Sequence, residues 1–166
     1  MGQGPPYALA SLQNSETQAL ATNNMLDENL IRENKKSWTN MIAFVDGFPT
    51  NDTWHAWKIF VGSMLRHGID TGLDRYFRAG QSMQHIIFST AEHHGLEDID
   101  PSPPRVTIAF DEHMRIYLAW SRFNLWFNKP DRKTYLTGDS AHSILRIYLS
   151  SLWDETRSSE NNPIER

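Results

Sequence analysis

From Arg105 to Trp120 apolar residues alternate with others, and nothing else in the sequence constrains the fold as tightly. Val106, Ile108 and Phe110 interleave with Arg105, Thr107 and Ala109. Ile116, Leu118 and Trp120 interleave with Arg115, Tyr117 and Ala119. A period of two puts one set on one side of a strand. Asp111-Glu112-His113 lies between the runs, so they read as a hairpin. Pro101-Ser102-Pro103-Pro104 stands in front and excludes helix there. Phe123, Leu125 and Phe127 extend the pattern to a third strand, ended by Asn128-Lys129-Pro130-Asp131.

Around these strands the spacing predicts helices. Asn51-Asp52 caps one that carries Trp54, Trp57, Val61, Met64 and Leu65 on one face, closed by Arg66, His67 and Gly68. Asp70-Thr71 opens a second, with Leu73, Tyr76, Phe77, Gly80, Met83, Ile87 and Ala91 as its buried stripe, ending near Gly95. Gly80 is expected to allow close approach of a neighbour. A weaker helix covers residues 16–45, with a break in the thirties at Asn34-Lys35-Lys36. Gly138-Asp139-Ser140 caps a last helix holding Ile144, Leu145, Tyr148, Leu149, Leu152 and Trp153.

The fold class is therefore α+β: N-terminal helices, a small antiparallel three-stranded meander over residues 105–127 covered on one face, and a C-terminal helix. Residues 1–14 read as a flexible arm, 15–157 as a single globular domain and 158–166 as a tail. An all-helical reading, with residues 114–127 helical, competes; the alternation over Arg105 to Trp120 decides for the sheet.

The 166 residues contain no cysteine, which removes disulfides, thiolate metal sites and a cysteine nucleophile. Sixteen basic against 20 acidic residues give a net charge of -4, so electrostatic nucleic-acid binding is not the default. No apolar stretch is long enough to span a bilayer, and the opening Met1-Gly2-Gln3-Gly4-Pro5-Pro6 lacks the regions of a secretory signal. The expectation is a soluble, cytoplasmic protein without membrane contact.

Catalytic motifs fare poorly. His85, His93, His94 and His113 are the weak candidates for a metal, but their spacing places no two on one helical face. Ser140 has only His142 downstream, two residues away on the same helix, too close to act as its base. Glu97-Asp98 with Asp100, and Asp111-Glu112, fall in loops, where solvated carboxylates are ordinary. No glycine-rich phosphate loop follows a strand. No cofactor is implied. Pro101-Ser102-Pro103 before Val-Thr-Ile resembles a short stretch of tobamovirus-type coat proteins, and no residue's role is carried over from it.

What remains is aromatic bulk: eight Phe, six Trp and five Tyr. A sheet with one helical layer leaves its other face for a partner. The leading expectation is a non-catalytic interaction or assembly subunit, forming a homo-oligomer or binding a protein partner. Its contact residues would be Arg105, Arg115, Tyr117 and Trp126 on an aromatic sheet face. A metal-dependent hydrolase using the histidines is the first alternative. Single-stranded nucleic-acid binding on the same sheet face is the second.

Overall fold

The computed structural model describes residues 27–90, 104–122 and 129–160. The expected arm at residues 1–14, the third strand at Phe123–Phe127 and the end of the tail lie outside these. Among the described residues three helices, a 3-10 turn and five strands follow in the order α1 (Glu28–Asp46), α2 (Asp52–Asp70), the turn Leu73–Arg75, β1 (Arg78–Ser82), β2 (His85–Ser89), β3 (Arg105–Phe110), β4 (Ile116–Ser121), β5 (Arg132–Tyr135) and α3 (Ala141–Glu160). The strands form one antiparallel sheet in sequence order, so every neighbouring pair runs in opposite directions. The α+β class is as expected, with five strands instead of three.

The β3–β4 hairpin sits where the alternation places it, with Ile108 opposite Leu118 and Val106 opposite Trp120. Those residues, with Ile86 and Phe88 of β2, face the helices and join Trp38, Trp57, Leu65, Leu145, Leu149 and Leu152 in one core. Asn51 caps α2 by accepting from the Trp54 N–H at 3.1 Å. Ser140 begins α3: its carbonyl accepts from Ile144 N–H, while its hydroxyl bonds Thr137 Oγ1 at 2.8 Å.

Three expectations need correction. The helix read over Asp70 to Gly95 is instead, as far as Thr90, the 3-10 turn and the β1–β2 hairpin, so Ala79, Ile86 and Phe88 reach the core from strands and Phe77 from just before β1; residues 91–95 lie outside the described residues. The break in the thirties is absent: α1 runs through Asn34-Lys35-Lys36, with Asn34 buried and both lysines exposed. Gly68 does not close α2 but lies within it, against the Trp38 indole, and is the glycine used for close approach between helices.

The second sheet face is buried as well. Ile87, Ser89, Arg105, Thr107, Ala109, Ala119 and Ser121 are all at most 6% exposed. Small side chains dominate this row, which is why its partners on β3 and β4 read as the solvent half of an alternation. Toward its ends this face opens, with Arg78, Ser82, His85 and Tyr117 half-buried and Lys133 and Tyr135 of β5 exposed.

The two sheet edges differ. Along β1 and the residues leading into it, α1 supplies side chains to the backbone. Trp38 Nε1 donates to the Phe77 carbonyl at 2.7 Å, Ala79 N–H donates to Ser37 Oγ at 2.9 Å, and Asn34 Nδ2 donates to the Arg75 carbonyl at 3.3 Å. Along β5 the backbone phase follows from one bond, Leu136 N–H to the Ile116 carbonyl at 2.9 Å. Hydrogen-bonded pairs alternate along an antiparallel ladder. Residues 132 and 134 therefore turn their backbone toward β4, and Lys133 and Tyr135 turn theirs outward.

Candidate interaction surface

Of the residues expected to form one face, Arg115 and Tyr117 lie together and Arg105 lies apart from them. Arg105 and Tyr117 do point to the same side of the sheet, but Arg105 is 5% exposed and pairs with Ser121 at the far end from Tyr117. Arg115 precedes β4 and is exposed near Tyr117. Trp126 lies outside the described residues.

What gathers around Tyr117 comes from β5 and the β3–β4 turn. Tyr135 pairs with Tyr117 across the strands, their rings 5.8 Å apart and inclined at 72°. Lys133, two residues earlier and so on the same face, places Nζ 3.8 Å from the Tyr117 ring centre and 4.7 Å from that of Tyr135. The Arg115 guanidinium stands 4.7 Å over Tyr135. Ammonium and guanidinium groups are drawn to the negative face of a phenol ring at these distances.

Asp111 ties this group to the hairpin. Its carboxylate accepts from the backbone N–H groups of His113 and Arg115, each at 3.0 Å, from Arg115 Nε at 2.8 Å and from the Tyr135 hydroxyl at 3.1 Å. Partial burial pushes the Asp111 carboxyl up, but the Arg115 side chain, the two backbone N–H groups and Tyr135 together hold it well below the usual carboxylate range. Asp111 in turn raises the Arg115 guanidinium. Asp111 is thus a fixed anion and a poor proton carrier. On the other side of β5, Thr134 Oγ1 meets the Tyr148 hydroxyl at 2.7 Å and the Arg132 guanidinium lies 4.3 Å over the Tyr148 ring. Both contacts pin the strand to α3.

Lys133 and Tyr135 are the site residues that sequence reasoning left out. The Arg132-Lys133-Thr134-Tyr135 run does alternate, but without an apolar set, so no hydrophobic period marks it.

The histidines are dispersed. His85 is on β2, not on a helix, and burial lowers its imidazole. His113 is exposed in the hairpin turn, 3.6 Å from Glu112. His93 and His94 lie outside the described residues. Among the described residues no three His, Asp or Glu side chains are placed to hold a metal ion. His142 turns away from Ser140 to α2, where its ring stacks on His67 at 4.1 Å and its Nε2 is 3.4 Å from Ser63 Oγ. Burial, then the neighbouring His67, lowers the His142 imidazole. Stacked parallel rings direct their nitrogens side by side, not toward a common ion. A cavity of about 230 Å³ beside the hairpin is lined, among the described residues, by Trp57, Phe60, Met114, Ile116 and Leu136 without an ionisable side chain.

Among the described residues no helix is long and apolar enough to cross a membrane. Comparison with protein families, curated proteins and solved structures yields no match.

Proposed function

We propose that this protein is a non-catalytic interaction subunit whose contact surface is the β4–β5 end of its sheet. One observation supports this above others: the exposed Arg115, Lys133 and Tyr135 form a single cation–aromatic cluster with the half-buried Tyr117 on an otherwise acidic chain. Arginine and tyrosine are the residues that anchor protein contacts. The partner is a protein segment that brings acidic groups. A two-fold contact between copies through this surface brings the Arg132 and Lys133 cations of one copy close to those of the other, which like-charge repulsion opposes.

Nucleic acid is the second reading, and the ring geometry argues against it. Base stacking needs an open aromatic face. Lys133 covers that of Tyr117, and Lys133 and Arg115 both lie against Tyr135.

The test is titration of the full chain with a short glutamate-rich peptide, a lysine-rich peptide and a single-stranded oligonucleotide, followed by NMR shifts of Tyr117, Lys133 and Tyr135. Selective shifts with the acidic peptide, weakened by salt and by Lys133→Ala, are expected. Tighter binding of the oligonucleotide, or shifts far from β4 and β5, would overturn the reading.

A further inference from the structure

Resting on that reading, we infer that the acidic partner binds as an added strand along β5, recognised by the outward backbone of Lys133 and Tyr135. Each of these residues directs one N–H and one C=O away from β4, because residues 132, 134 and 136 carry the bonds to it. The edge is accessible: Arg132 and Lys133 are exposed and Tyr135 is 43% exposed. It is also held in place, since Thr134 and Arg132 anchor it to Tyr148 and Lys133 and Tyr135 lock it to Tyr117. An incoming strand therefore meets a preorganised template.

Charge selects the occupant. An open edge invites any strand, and proteins commonly block theirs with cations. Here Arg132 and Lys133 stand on the edge strand itself, while the neighbouring carboxylates are already engaged, Asp131 with the Arg122 N–H and Asp111 with Arg115 and Tyr135. Cations of one sign repel a second copy of β5 and favour a strand with acidic residues. Successive side chains of an added strand alternate between faces, so one acid lies beside Lys133 and the adjacent position beside Arg132. The occupant is an extended segment with neighbouring Glu or Asp residues flanked by β-formers.

The experiment uses the full chain and a synthetic Thr-Val-Glu-Glu-Val-Thr peptide. A second peptide of the same sequence carries N-methyl groups at alternate backbone nitrogens, in both phases. Amide hydrogen exchange is read residue by residue. The expected result is protection of the Lys133 and Tyr135 amides by the unmodified peptide, and about tenfold weaker binding of one N-methylated phase. Lys133→Glu should lose the acidic peptide and gain its lysine counterpart. If the peptide shifts Tyr117 and Tyr135 without protecting the two amides, and both methylated forms bind equally, strand addition is wrong and the surface reading survives. If neither peptide nor shift is seen, both fall.

Discussion

At the β1 edge three side chains of one helix meet the backbone of Ala79 and of Phe77 and Arg75 just before the strand; at the β5 edge no described residue pairs with the outward backbone, and Arg132 and Lys133 stand over it. Both edges belong to the same sheet and both need protection from indiscriminate pairing. The first is protected by burial and hydrogen bonds, so it is tied to the stability of the whole domain. The second is protected by charge, which costs little stability and leaves the backbone available. A feature that serves folding and one that serves contact can thus be told apart by what each mutation should disturb.

The largest expected effect lies on the closed side. Trp38 is fully buried, packs 4.9 Å from the Phe88 ring and donates to the Phe77 carbonyl. Trp38→Ala should lose about 3–5 kcal/mol in denaturant unfolding. A loss near zero would mean that α1 does not hold this edge. Gly68→Ala attacks the same contact from α2, since an added methyl would lie 2.6 Å from Trp38 Cη2. Overpacking of this kind costs about 1–3 kcal/mol. Neither change should alter peptide binding at β5 while the protein stays folded, and an equal fall in affinity would erase the distinction between the edges.

The legibility of these parts in the sequence follows the same division. β3, β4, α2 and α3 have a buried face and so carry a hydrophobic period, which the chain displays openly. β1 and β2 were hidden by their turn. Met83 takes φ 54° between the two strands, where glycine or asparagine would have announced a hairpin. Without that signal, Leu73, Tyr76, Phe77, Gly80 and Met83 fall at helical spacing by coincidence. Asn34 looked like an interruption because its use, bonding the Arg75 carbonyl, depends on a residue 41 positions away. β5 was silent because an exposed edge strand has no apolar face to display. The contact surface was accordingly half visible: Arg115 and Tyr117 lie in or beside a readable strand, Lys133 and Tyr135 in an unreadable one.

The turn offers the next effect in size. A left-handed non-glycine residue costs roughly 1–2 kcal/mol, part of which glycine returns through its greater freedom in the unfolded chain. Met83→Gly should therefore stabilise the protein by up to about 1 kcal/mol. Met83 is 64% exposed, so little packing is lost. A destabilised variant would show that the strain is illusory.

The smallest effect should appear at Asp111 and only in acid. Its carboxyl is held below the ordinary value of 3.8 in the folded chain and returns to it on unfolding. Between those two values the unfolded state binds more protons, so stability rises with pH there. The contribution is complete above 3.8 and is lost as the pH falls below it. Asp111→Asn should flatten this acid-side slope in unfolding midpoints measured from neutral pH downward. Equal slopes in the two proteins would show that Arg115 and Tyr135 do not bind the carboxylate in solution. The same variant sharpens the comparison of edges: with Asp111 neutral, Arg115 is no longer balanced, the β5 surface gains net positive charge, and an acidic strand should bind more tightly and with a steeper salt dependence.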